Sequence, residues 1–175
     1  MTRAVTVRRL NGDEASRHVG ALTDLLIDCV EGGASVSFML PLSRERAMSF
    51  WRTVADAVAR NERVLLIAEE PEGRIVGTVQ MITSLPDNQP HRADVAKMLV
   101  HRSARRRGIA QELMNKVDAV AREEGKTVLV LDAVTGGDAE RLYERAGWQR
   151  VGVIPKYALM PNGEFCATTF FYKHL

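Results

Sequence analysis

Three consecutive arginines, Arg105-Arg106-Arg107, run directly into Gly108-Ile109-Ala110. Before them lies an apolar strand-like run, Val95 to Val100, and after them Leu113, Val117, Val120 and Ala121 recur at helical intervals. The cluster therefore occupies a strand-turn-helix junction. Unpaired N–H groups at a helix N-terminus and the helix macrodipole together hold a phosphate, and a glycine lets the backbone approach it closely. Arginines add charge to such a nest. The alternatives are a solvated basic turn and a nucleic-acid contact. Against the latter, Lys plus Arg number 24 and Asp plus Glu 22, giving a net charge of +2, and no aromatics interleave with the arginines. The cluster is sized for one pyrophosphate, so no nucleic acid is expected as partner.

Other signatures with a chemical meaning are incomplete. Gly125-Lys126-Thr127 ends like a P-loop, but the first glycine of that motif would fall on Val120. Gly33-Ala34-Ser35-Val36-Ser37 lacks the second glycine of a nucleophile elbow, so no hydrolase triad is indicated. His18, His91, His101 and His174 have no paired spacing on a helix face, and Cys29 and Cys166 form no CxxC pair, so no metal is expected. The cysteines fit small core residues in a reduced, cytoplasmic setting.

The elements that must position the arginine turn follow from periodicity. Val5 and Val7 alternate with polar residues in a short strand, and Asp13 to Val30 forms a helix with Val19, Leu22, Leu26 and Val30 on one face, stopped by Gly32-Gly33. Ser43 caps a second helix whose Ala47, Phe50, Trp51, Val54 and Val58 form a core stripe. Val64 to Glu69 and Ile75 to Thr83 make a hairpin around a Pro-Glu-Gly turn, and Val95 to Val100 follows as the next strand. A helix from Ile109 to Gly125, a buried strand TVLVLDA, a short helix Asp138 to Ala146 ended by Gly147, and two further strands complete the chain. This order predicts a mixed α/β sheet with one crossover unit. With 175 residues, 46% apolar and 26% charged, a single domain spanning 1–175 is expected. Its longest apolar runs fall far short of the roughly 20 residues that span a bilayer. Nor does MTRAVTVRR have the apolar stretch of a secretory signal, so a soluble cytoplasmic protein without a membrane partner is expected.

The stretch from Leu99 to Ala110, ending in Arg105-x-x-Gly108-x-Ala110, resembles the acetyl-CoA-binding motif of the GNAT superfamily of N-acetyltransferases. DAERLYERAGW, Asp138 to Trp148, resembles its second motif, a short helix carrying a tyrosine ahead of a glycine and an aromatic. More narrowly, LLIDCVEGGASVSF, NQPHRADVAKMLV and the segment from Gly147-Trp148 onward are similar to the tabtoxin resistance protein subgroup, so the resemblance covers nearly the whole chain. The chain departs from the superfamily at Arg102 and Ala104, where a proline and an aromatic are common, and at Asp138, where asparagine is common. The first two alter turn shape, and an aspartate at 138 can cap the short helix.

The resemblance implies a mostly antiparallel mixed sheet with flanking helices, splayed at the fourth and fifth strands. The pantetheine arm of acetyl-CoA would lie in that opening against Met98, Leu99 and Val100. The N–H groups of Arg106, Arg107, Gly108, Ile109 and Ala110 would hold the pyrophosphate, Arg105 and Arg107 adding charge-assisted bonds. Asp138 and Tyr143 would complete the cofactor site, with no metal. Direct attack of a neutral amine on a thioester needs a proton acceptor, donors for the developing oxyanion and an acid for the departing thiolate. Tyr143 is implied as the acid. Asp132, matching an aspartate that acts with this tyrosine in the tabtoxin resistance subgroup, is implied as the group that takes or balances the amine proton. A core tyrosine and a strand-end cap are their structural alternatives, and His91 or Asp94 is the alternative base.

Asp28, Glu31, Ser35 and Ser37, between the first two helices, and Gln80, Asn88, His91 and Asp94, beside the third and fourth strands, are expected on the acceptor side. Carboxylates at 28, 31, 94 and 132 would attract an ammonium, and Arg92 or Lys97 would meet a carboxylate. The expected acceptor is therefore a compact amino-acid-like amine, with tabtoxinine-β-lactam among the candidates. A protein or peptide acetyltransferase and a non-catalytic acyl-CoA-binding domain are the alternatives, and a homodimer is the assembly left open.

Overall fold

A computed structural model describes residues 4–175 of the chain. In order, the elements are β1 (Thr6–Leu10), α1 (Gly12–Arg17), α2 (Val19–Glu31), α3 (Arg44–Ala59), β2 (Arg63–Glu69), β3 (Ile75–Ile82) and β4 (Arg92–Val100). After a 3-10 turn at Arg102–Ala104 come α4 (Ile109–Glu123), β5 (Val128–Val134), α5 (Asp138–Arg145), β6 (Gln149–Leu159) and β7 (Phe165–His174). One seven-stranded sheet runs β1-β2-β3-β4-β5-β7-β6. Every neighbouring pair is antiparallel except β4 and β5, joined in parallel by the α4 crossover.

Two cores sandwich this sheet. Val64, Leu66 and Ala68 of β2 pack with Leu113, Val117 and Val120 of α4, whereas Leu65 and Ile67 pack with Leu22, Leu26, Trp51 and Val54 of α2 and α3. Burial on both faces is why β2 is a continuous apolar run instead of an alternating one. α5 joins the α4 side, where Tyr143 and Trp148 meet Phe171 of β7.

Two features that position the site differ from the periodicity reading. The helix expected over Asp13 to Val30 is two helices, broken at His18 (φ −96°, ψ 6°), because only Ala15 of the first segment is buried and the apolar stripe begins at Val19. β4 carries a bulge: Thr78 pairs with Leu99 but Gln80 with Ala96, and Lys97 sits at φ 55°. Ahead of the bulge Ala93 and Val95 face the α4 side; beyond it Met98 and Val100 do, and Leu99 joins the opposite core.

β4 and β5 are in register only from Arg92↔Val128 to Asp94↔Val130. Beyond those pairs they separate, so the edge of β4 from Val95 to Val100 faces an opening in the sheet. Among the described residues no helix is long and apolar enough to cross a membrane, and no group of His, Cys, Asp or Glu converges to hold a metal.

Candidate functional site

The arginine turn lies at the head of that opening. Arg106 (φ 61°) and Gly108 (φ 79°, ψ 1°) are both left-handed, and Gly108 is the N-cap of α4. The first-turn N–H groups of Ile109, Ala110 and Gln111 have no acceptors within the helix. With alternating backbone handedness they make an anion nest, and a Cβ on Gly108 would meet nothing within 4 Å, so the space in front is open. Arg105 and Arg106 are exposed; Arg107 is not available in the same way, because its Nη1 donates to Glu70 Oε1 at 2.7 Å and Glu70 is buried. The third arginine thus fastens the turn to the β2–β3 hairpin. His101 holds the preceding turn, its Nδ1 accepting from the Ser103 N–H at 3.1 Å. Below it, the Val100 carbonyl receives Arg105 Nε and Cys29 Sγ, each at 3.4 Å.

Asp132 and Tyr143 lie on opposite faces of the sheet. Leu129 and Leu131 of β5 belong to the α4-side core, so Asp132 projects to the other face. Tyr143, by contrast, is buried in the α4-side core with ring centroids 5.9 Å from Phe171 and 6.1 Å from Trp148. Beyond burial, the two shifts have different causes. Burial, with the Asp132 charge adding to it, pushes the Tyr143 hydroxyl up to about 12, so it keeps its proton throughout the neutral range. Desolvation raises the Asp132 carboxyl, Lys97 opposes that, and Asp94 reinforces it. A carboxyl held toward its neutral form and a hydroxyl held in its neutral form are suited to taking a proton and to donating a hydrogen bond, respectively.

On the Asp132 face lies a cavity of about 350 Å³, walled by Ser35, Ser37, Phe38 and Met39 of the α2–α3 loop, Asp132 to Val134 of β5, Tyr157 to Leu159 of β6 and Thr168 of β7. The loop bridges the two halves of the splayed sheet. Lys97 Nζ donates to Ser37 Oγ at 2.9 Å on the β4 side; Ser35 Oγ donates to the Leu159 carbonyl and the Leu40 N–H to the Pro161 carbonyl, both at 3.0 Å, on the β6 side.

Of the acceptor-side residues expected from sequence, Ser35 and Ser37 line this cavity beside Asp132. The others lie elsewhere. Asp28 accepts from the Arg102 backbone N–H and Nε, each at 2.9 Å. Gln80 is fully buried and accepts from Arg63 Nη1 at 2.6 Å. Asp94 pairs with Arg92 two residues along the strand from the Asp132 level, and Arg92 also donates to Gln89. His91 and Asn88 are exposed at the closed end, where the His91 carbonyl accepts from Thr127 and Val128. Four residues from Val128 to Asp132, at about 3.3 Å each, separate His91 from the opening. Asp138 does not cap α5: Gly137 is the N-cap, and the exposed Asp138 side chain bonds Arg141 instead. Phe38, Met39, Tyr157, Leu159 and Thr168 were not legible as site residues, since ordinary core and edge positions carry the same residue types.

A model of the acetyltransferase (GNAT) family matches residues 22–148. The chain belongs to that family. Over 113 residues this GNAT chain is 31% identical to an uncharacterized N-acetyltransferase from the hisH–hisA intergenic region of Azospirillum brasilense. The matched stretch is 63% of this chain and 65% of that relative, so it spans less than two thirds of the relative's length. Among solved structures, yncA of Salmonella typhimurium, determined with acetyl-CoA, superposes with a TM-score of 0.80 at 18% identity, covering 98% of this chain and 94% of that one. An N-acetyltransferase from Staphylococcus aureus Mu50 gives a TM-score of 0.79 at 17% identity, covering 98% of each chain. At these identities the likeness is one of fold, and the GNAT fold implied by the sequence is the one observed.

Proposed function

We propose that this GNAT chain transfers the acetyl group of acetyl-CoA to the amine of a compact, amino-acid-like molecule. One arrangement carries this reading: an anion nest at the head of an open strand edge, with Asp132 and Tyr143 on opposite faces of the sheet and near enough for the Asp132 charge to act on the Tyr143 hydroxyl. The residues present fit the cofactor. The N–H groups of the 106–110 turn and the exposed Arg105 and Arg106 would hold its pyrophosphate, and the free edge of β4 at Met98 to Val100 would pair with its arm. Acetyl-CoA supplies an activated acetyl thioester. Asp132 takes the proton of the incoming ammonium at a carboxylate oxygen, and the Tyr143 hydroxyl offers its retained proton to the sulfur that departs.

A cavity of about 350 Å³ suits a small acceptor better than a peptide, which needs an extended groove. The near full-length resemblance to the tabtoxin resistance subgroup makes tabtoxinine-β-lactam one member of the acceptor class. The same reading includes a homodimer through β6, an edge strand with Val151 and Val153 exposed; light scattering measures it.

The test is acetyl-CoA consumption over amino acids, β-lactam amines, aminoglycosides and peptides, with mass spectrometry of the products. A gain of about 42 Da, one acetyl for one hydrogen, is expected on a small amine. The same gain on peptides and on no small amine rejects the reading.

A further inference from the structure

β4 presents a cation to the acceptor side from a costly backbone position. Lys97 has φ 55°, a left-handed conformation that disfavours a side chain by roughly 1–2 kcal/mol and that glycine would adopt freely. A strained non-glycine residue whose side chain bonds a pocket wall, here Ser37, points to a demand on that side chain. The bulge also decides where that side chain goes. An unbroken strand would turn Lys97 to the same side as Ala93 and Val95, into the α4-side core; with the bulge its ammonium reaches Ser37 instead.

Around the ammonium the partners are neutral. Its Nζ donates to Ser37 Oγ at 2.9 Å and lies 6.0 Å from the centre of the Phe50 ring. Ser37 is itself left-handed at φ 77°, and it walls the cavity together with Asp132. Other cations nearby are engaged: Arg63 with Gln80, and Arg92 with Asp94 and Gln89. Among the described residues Lys97 has no carboxylate within ion-pair distance, although an ammonium carries three donors. Burial, the largest influence on it, and Arg63 disfavour its charge, while Asp132 favours it. A carboxylate placed beside Lys97 would relieve that cost.

We infer that Lys97 determines acceptor specificity: its ammonium receives a carboxylate of the acceptor, while Asp132 receives the acceptor's amine. The inference rests on the acceptor-site reading of the cavity. In a half-buried setting a bond between an ammonium and a carboxylate, charged on both sides, is stronger than the bond to neutral Ser37, and the two remaining ammonium donors can make it. An amine lacking the carboxylate brings a like charge to Lys97 and is disfavoured.

The test uses protein saturated with CoA, which prevents turnover, and labelled with 15N in its lysine side chains. The Lys97 ammonium signal is assigned by its loss in Lys97→Met. The common L-amino acids and their decarboxylated amines, such as methionine and 3-(methylthio)propylamine, are the probes. At least one amino acid is expected to move the Lys97 signal while its decarboxylated partner does not. A signal that no amino acid moves, or that both members of each pair move alike, overturns the inference. With an acetylated pair in hand, Lys97→Met should lower kcat/KM for the amino acid by about 10-fold or more, change it less than about 2-fold for the amine, and Lys97→Arg should restore part of the difference. Equal losses on both would mean that Lys97 acts only through the loop or Asp132. Were Lys97 to respond while no amine gained an acetyl group, recognition would stand and the proposed activity would fall.

Discussion

Asp28 at the end of α2 accepts both the backbone N–H and the Nε of Arg102, each at 2.9 Å, and so ties that helix to the turn leading into the arginine cluster. Burial alone would raise its carboxyl, but the Arg102 hydrogen bonds and the neighbouring His101 outweigh burial and leave it below its ordinary value. A carboxyl depressed in the folded state adds stability that is present above its unfolded pKa and is lost as pH falls through its folded pKa. Asp28→Ala is therefore expected to lower unfolding stability by roughly 1–3 kcal/mol at neutral pH. The deficit should narrow in acid. Urea unfolding of both proteins at pH 7 and near pH 3 checks this; a deficit that is larger in acid would contradict it.

At the nest, Gly108→Glu should weaken acetyl-CoA binding, expected in the micromolar range, by about 10-fold or more. The substitution forces a side chain into a left-handed position and sets a negative charge in the space where a phosphate would sit. Calorimetry decides it. Unchanged affinity would move the cofactor site elsewhere.

Arg107 answers differently from its neighbour Arg106. Removing Arg107 leaves the buried Glu70 carboxylate without its 2.7 Å partner, and breaking a buried pair from one side costs about 3 kcal/mol. Arg107→Ala should therefore lower the melting temperature, whereas Arg106→Ala, at an exposed position, should leave it nearly unchanged. Equal melting temperatures for the two variants would remove the anchoring role.

For Asp132 the sign reverses. Its pKa is raised in the folded state, so the native protein holds that proton more tightly than the unfolded chain, and the stabilising contribution is lost as pH rises through the folded pKa. Asp132→Asn should thus be no less stable than the parent at neutral pH, and any gain should vanish as pH falls below the usual carboxylate range. Turnover should fall and the acidic limb of the pH profile should change, while cofactor affinity persists. If only KM rises, Asp132 positions the acceptor and the proton goes elsewhere.

Much of this arrangement is written locally in the sequence. The arginine turn is recognisable because strand, turn and helix signals adjoin, and Ser43 does cap α3, its Oγ accepting from the Arg46 N–H. β2 is recognisable because burial on both faces makes it continuously apolar. What was not legible depends on partners far along the chain. The bulge at Lys97 arises from the offset between Thr78↔Leu99 and Gln80↔Ala96, which no pattern within β4 displays.

The cavity beside Asp132 is similar in kind. It joins the loop after α2 to β6 through Ser35–Leu159 and Leu40–Pro161, across more than a hundred residues of sequence. From sequence alone Asp28, acidic and adjacent to that loop, reads as an acceptor-side residue. Its carboxylate instead turns to Arg102, a pairing visible only once β4 is placed beside α2. The motif around Tyr143 is visible in the sequence, but the burial that holds its hydroxyl neutral comes in part from Phe171, on a strand outside that motif.

Steady-state thiol release by Tyr143→Phe, measured beside its acetyl-CoA affinity, tests the central claim most directly. The variant removes one oxygen from a buried ring and leaves its packing against Phe171 and Trp148 in place. The predicted result is nearly unchanged cofactor affinity with turnover lower by about 10²-fold or more, the scale of a lost general acid. Turnover equal to that of the parent protein would contradict it.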